Sequence, residues 1–242
     1  MARYWTTQTY YAQPDLETLK RKAESSAAKA KKKGIVYEPV IIEGRNIANT
    51  WWGISWCENL ERYADYENRI DRGKRYVRNG SVIDLQIEEG KVTARVQGRR
   101  PVPYRITVKI SRLSEAKIDA IMERCGKRLE NIEMLLEGKF PDEMKEVFME
   151  KGGLFPAPNE INFDCSCPDW ASMCKHVAAV LYGIGARFDK NPLLFFQLRG
   201  IDVERFVDVT IQNRVEDMLA NVENKTSRMM DDVDLTKIFG VL

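Results

Sequence analysis

Cys165, Cys167, Cys174 and His176 stand within one run of twelve residues, Cys165-Ser166-Cys167-Pro168-Asp169-Trp170-Ala171-Ser172-Met173-Cys174-Lys175-His176. The chain has five cysteines and one histidine, so its sole imidazole lies beside three of its thiols. Three thiolates and one imidazole complete a tetrahedral shell, and soft sulfur donors select zinc over magnesium or calcium. Such a shell is closed. It has no position for an activated water, so the metal is expected to hold the chain together rather than to catalyse. With the histidine committed, a Ser-His or Cys-His mechanism lacks its base. The acid pairs Glu88-Glu89, Asp142-Glu143 and Asp231-Asp232 read as turn, helix-start and tail positions. The expectation is a zinc-binding protein that is not an enzyme.

The ligands need a strand, a turn and a helix to bring them together. Ile161–Phe163 reads as a short strand running into the cysteines, and alternation puts Cys165 and Cys167 on the same side of it. Pro168 and Asp169 turn the chain. Val177–Phe188 reads as a helix. Two positions apart on a helix differ by about 200°, so Cys174 should lie just before the first full turn and His176 inside it. Cys57 and Cys125 each stand alone in an apolar helical setting and read as plain core cysteines. Five unevenly placed cysteines do not make a disulfide framework. Free thiols beside a metal fit a reducing interior, and a cytoplasmic location is expected.

C-x-C, a short spacer and then C-x-H resembles the SWIM zinc finger. The Asn162-Phe163-Asp164 entry, the Pro168-Asp169-Trp170 turn and the small-apolar run Val177-Ala178-Ala179-Val180-Leu181-Tyr182 are similar to that family as well. The resemblance implies zinc binding through Cys165, Cys167, Cys174 and His176. It also implies interaction with DNA or with protein, since stand-alone SWIM proteins are often associated with Swi/Snf-type helicases. No G-x-x-x-x-G-K-S/T run is present, so the chain is not itself such a helicase.

The remaining elements follow from periodicity. The 242 residues are 44% apolar, enough to bury a substantial core. Residues 15–33 read as a helix, with Asp15 as cap and Gly34 as stop. Three strands follow: Val82–Glu88, Lys91–Gln97 and Tyr104–Ile110, each alternating apolar and polar residues, with Glu89-Gly90 as a tight turn. They predict a three-stranded antiparallel meander with one wet face. Helices are expected at 115–125, 127–136, 141–149, 192–198 and 202–221. The fold class is α+β: an antiparallel β-meander followed by helices, with a small SWIM-type zinc finger. The chain divides into a basic N-terminal helix or arm at 1–34, an α+β domain at 35–155, the finger at 156–200, and a C-terminal helix with an acidic tail at 201–242. On this division, loss of the metal should unfold 160–190 and spare the meander.

Net charge is only +2, but it is unevenly spread. Residues 1–33 and 69–112 are basic, and 113–164 and 201–242 are acidic. Lys91, Arg95, Arg105 and Lys109 should share the wet face of the meander, with Arg99 and Arg100 on the adjoining loop. Arg69, Arg72, Lys74, Arg75 and Arg78 lie upstream in a glycine-containing stretch, where Tyr76 could stack on a base. These cations are either a phosphate-binding surface or an ordinary solvated one. The Lys29–Lys33 cluster carries the same two readings. Trp51, Trp52 and Trp56 are either core or a partner-binding anchor. No apolar segment is long enough to span a membrane, and no secretory leader is expected. Two functions remain: a nucleic-acid-binding or helicase-associated accessory factor, or a purely protein-binding adaptor.

Overall fold

A computed structural model describes residues 15–64, 67–128, 140–150 and 152–222. Helix α1 spans Leu16–Lys32 and buries Leu19, Ala23 and Ala30. Asp15 holds its N-cap position without a side-chain hydrogen bond. Gly34 follows its end at φ +75°, where a Cβ would be strained. Lys29, Lys31, Lys32 and Lys33 are exposed there, where cations favour the helix dipole.

Helix α2 spans Trp51–Glu61. The Thr50 hydroxyl accepts from the Gly53 N–H and donates to Asp189. Helix α3, Glu67–Arg78, occupies the stretch read from sequence only as basic and glycine-containing. Its buried residues, Ile70, Gly73, Tyr76 and Val77, recur at helical spacing.

The strands fall where alternation places them: β1 at Val82–Glu88, β2 at Lys91–Val96 and β3 at Tyr104–Ile110. The meander does not end there. Strand β4, Ile161–Cys165, pairs antiparallel with β3, giving a four-stranded sheet in the order β1-β2-β3-β4. Helix α4, Glu115–Arg128, runs through Gly126 without a break. The rest of the helix expected to residue 136 lies outside the described residues, as does the acidic tail. The helix expected from Pro141 is one 3₁₀ turn, Asp142–Met144, followed by the short α5, Lys145–Met149. Helices α6 (Lys175–Lys190), α7 (Leu194–Arg199) and α8 (Val203–Val222) complete the described chain.

The core is built around α6. It is buried almost all round, from His176 to Phe188. Small residues let neighbouring backbones approach it. A Cβ on Gly73 of α3 would lie 2.5 Å from the Ala178 Cβ, and a Cβ on Gly185 would lie 2.7 Å from the Cys57 sulfur on α2. One continuous cluster of buried side chains includes Leu85 and Val92 of the sheet, Trp56 of α2, and Cys174 and Val177 of the metal segment. The finger and the meander therefore share a sheet and a core. On this architecture metal loss is expected to reach the meander as well as the finger.

Trp51, Trp52 and Trp56 belong to the core. Trp56 is 1% exposed. The indole N–H groups of Trp51, Trp52 and Trp56 donate to the carbonyls of Phe140, Phe188 and Leu181 respectively. Cys57 packs in the same layer, where burial pushes its thiol up to about 12. Cys125 is fully buried. Both cysteines are the core residues expected. Arg199, unremarkable in the sequence, is 1% exposed. It donates to the Ser111 carbonyl at 2.7 Å and pairs with Glu160 at 3.2 Å, pinning α7 to the ends of β3 and β4.

Candidate metal centre

Pairing with β3 sets the first two ligands. Cys165 lies opposite Ile106, and the ladder continues one residue further. Ser166 N–H donates to the Arg105 carbonyl, and Arg105 N–H donates to the Ser166 hydroxyl, each at 3.0 Å. The strand ends at Cys165 and the chain bends over Ser166, Cys167 and Pro168, so this bend, rather than strand alternation alone, brings the two thiols to one site. The turn is fixed by Asp169, which accepts from Ala171 N–H at 3.4 Å and pairs with Arg69 Nε at 3.1 Å. Burial pushes the Asp169 carboxyl up, but the Arg69 and Ala171 hydrogen bonds outweigh it and leave it below the usual carboxylate range. Cys174 is the N-cap of α6, and His176 sits in its first turn. Both stand where the sequence spacing puts them.

The three sulfurs and one imidazole nitrogen lie within 4.8 Å of one another. His176 Nδ1 is 3.9 Å from the sulfurs of both Cys165 and Cys174. A tetrahedral zinc with bonds of about 2.3 Å to sulfur and about 2.0 Å to nitrogen sets such pairs about 3.6 Å apart. The residues fit zinc. Nδ1 faces the sulfurs, so it would be the ligand nitrogen and Nε2 would carry the proton. Burial lowers the His176 pKa, keeping the imidazole in the neutral form that coordinates. The thiols are crowded. A hydrogen bond shared with Cys174, together with burial, raises Cys165, and burial raises Cys167. The same Cys165 bond stabilises the Cys174 thiolate and lowers it to about 4. Three thiolates in one place need a cation.

Residues 159–183 match the SWIM zinc finger family. This segment is a SWIM zinc finger, and it binds zinc. A 160-residue stretch of the chain is also 38% identical to "Uncharacterized protein Rv2102" of Mycobacterium tuberculosis. That match covers 65% of this chain and 57% of the relative, so the likeness spans a little over half of the relative's length. No solved structure matches the chain. The SWIM motif covers the ligands, β4 and the first half of α6. It does not cover the basic residues of the sheet.

Proton release reports the state of the metal-free finger. If the stripped chain kept this geometry, zinc binding at neutral pH would release about two protons, from Cys165 and Cys167. A stripped chain whose finger has unfolded has ordinary thiols near pKa 8.5 and releases about three. Three are expected, because the finger shares its core with the sheet. Calorimetric zinc titration of dilute, freshly stripped protein, in buffers of different protonation enthalpy, counts them. A count of two would mean that the site stands without its metal.

The expected basic residues occupy three places. Lys91, Arg105 and Lys109 are exposed on the outer sheet face, and Arg95 is half-buried beside them. Arg95 pairs with Asp84 at 3.4 Å and lies over the Tyr37 ring. Arg99 and Arg100 are exposed on the β2–β3 loop, with Arg100 over Tyr104. Gln97, fully buried, shapes that loop. Its amide donates to the Gly98 and Arg100 carbonyls, and its oxygen accepts from Ser26 of α1. Of the upstream cations, Arg69 is tied to Asp169 and Lys74 to Glu61. Tyr76 cannot stack on a base. It is 8% exposed and meets the His176 ring edge-on.

Proposed function

We propose that the chain is a zinc-stabilised, nucleic-acid-binding accessory factor that acts by binding rather than by catalysis. DNA is its ligand, and a Swi/Snf-type helicase is the protein it serves. The reading places it in the cytoplasm, where thiols stay reduced. No described helix is long and apolar enough to cross a membrane.

One observation carries the nucleic-acid reading. In the β2–β3 register, Lys91 lies opposite Lys109 and Arg95 opposite Arg105. Like charges directly opposite destabilise a sheet, and here two such pairs stand on one face, with Asp84 and Glu88 of β1 offsetting Arg95 and Lys91. Thr93 and Thr107 lie between them. The stripe leads at one end to the Arg99-Arg100 loop and the finger, because Arg105 bonds to Ser166. A phosphate backbone neutralises such a stripe. Its affinity then falls with salt by about 0.7 to 0.9 log units per log unit of salt for each phosphate contacted.

Changing Lys91, Arg105 and Lys109 together to Gln should weaken binding to labelled DNA about tenfold or more at low salt. The salt slope should fall by about 2. All three side chains are exposed, so the fold should persist. Fluorescence anisotropy with single- and double-stranded DNA at several salt concentrations measures both effects. Equal binding by wild type and variant would reduce the face to a solvated surface.

A second reading, that of a protein adaptor, has its own support. Ile211, Val215, Met218 and Leu219 are exposed along α8 at 48%, 48%, 63% and 64%, a spacing that puts them on one face. If the wild type shows no salt-dependent DNA binding, this apolar stripe becomes the favoured contact for the helicase.

A further inference from the structure

A cavity of about 260 Å³ lies beside the finger, and His176 is among the residues that line it. Its walls come from the start of α1, from α3, from the turn after it, from the β2–β3 loop and from the first turn of α6. Four of the lining residues are cations: Arg72 and Arg75 from α3, Arg99 from the loop and Lys175 from α6. No Asp or Glu is among the described residues that line it. No carboxylate among the described residues forms an ion pair with Arg72, Arg75 or Lys175.

Two of the lining residues also carry a buried donor that lacks an acceptor. His176 is 2% exposed. Its Nδ1 faces the thiols, and its buried Nε2 has no hydrogen-bond partner. Asn79, at the end of α3, has a buried Nδ2 in the same condition. A metal-bound imidazole normally donates its second N–H to an acceptor, and a buried donor without one costs about 1–3 kcal/mol. Four cations round a small space make a receptor for an anion with several acceptor oxygens.

We infer that this cavity binds a phosphate monoester, held by the Arg72 and Arg75 guanidiniums with Lys175 beside them. A terminal phosphoryl group suits the shape. An internal phosphodiester lies along a surface, whereas a chain end can enter a cavity walled by five segments. The two arginines offer the forked donors that hold phosphate oxygens in pairs. Gly73 places them: its lack of a side chain lets α3 sit against Ala178, two residues beyond the finger's histidine. The bearer is the phosphorylated end of a nucleic-acid strand, a step that rests on the DNA reading above, whereas the cavity itself does not. A free mononucleotide offers the same group.

The test uses zinc-loaded protein and four probes: a short single-stranded oligonucleotide with a 5′-phosphate, the same strand with a 5′-hydroxyl, thymidine 5′-monophosphate, and inorganic phosphate. Wild type should bind the phosphorylated strand about tenfold more tightly than the hydroxyl strand. The double variant Arg72→Gln, Arg75→Gln should lose that preference while binding the hydroxyl strand within about twofold of wild type. Arg75 is exposed and Arg72 half-exposed, and zinc content with circular dichroism confirms that the variant is folded. If both strands bind equally to wild type, or the variant keeps the preference, the cavity proposal falls and the DNA reading stands. If neither strand binds but thymidine monophosphate or phosphate binds wild type and not the variant, the cavity stands and the DNA reading falls. If no probe binds, both fall.

Discussion

Cys167→Ser should unfold the sheet together with the finger. A serine hydroxyl is a hard, poorly acidic ligand, and the zinc that remains on three donors is weakly held. Structural zinc contributes about 10 kcal/mol or more in isolated fingers. A domain of ordinary stability has only about 5–15 kcal/mol in all. Here the metal clamps β4 to α6, which is both the finger's helix and the centre of the core. Amide hydrogen exchange resolved by segment, beside zinc content by elemental analysis, reads the outcome. Protection should fall over 175–190 and over 82–110 alike. Wild-type protection of β1–β3 with loss confined to 160–190 would show a finger that folds independently, and would refute the shared core.

The second large effect belongs to Trp56. Its ring meets Phe155, Phe188 and Phe195 at centroid distances of 6.1, 5.0 and 5.7 Å, mostly edge to face. Its N–H satisfies the Leu181 carbonyl of α6 at 3.0 Å. Trp56→Ala therefore removes a ring and leaves a buried carbonyl with one fewer partner. The expected loss is about 3–5 kcal/mol, or about 10 °C or more in melting temperature for a chain of this size. Trp51→Ala should cost less, because Trp51 is only partly buried. Thermal unfolding of the two variants compares them. If Trp56→Ala melts with wild type while losing a binding partner, the residue is an interface anchor and the core assignment is wrong.

The ligands and strands were legible in the sequence because their signals are local. C-x-C followed by C-x-H needs only twelve residues, and alternation over seven residues marks a half-buried strand. Helix α3 was hidden because five cations and Gly73 obscure its narrow apolar face. That glycine reads as a break, yet it is a contact with Ala178, more than a hundred residues away in sequence. The same blindness put Tyr76 on the surface. Gln97 and Arg199 gave no signal at all. Each is a single polar residue whose meaning lies in distant partners, Ser26 for one and Ser111 and Glu160 for the other. The pairing of β4 with β3 was likewise invisible, since no short pattern specifies which strand covers an edge.

That pairing has a consequence for handling the protein. Without β4, strand β3 would present a bare row of amide and carbonyl groups along Tyr104–Ile110, a segment rich in β-branched and aromatic residues. An exposed edge of this kind is a template for intermolecular strand addition. The zinc ion, by seating Cys165 at the end of β4, keeps that template covered. Chelation at high concentration should drive the chain towards aggregates, so metal supply during synthesis governs solubility as much as stability.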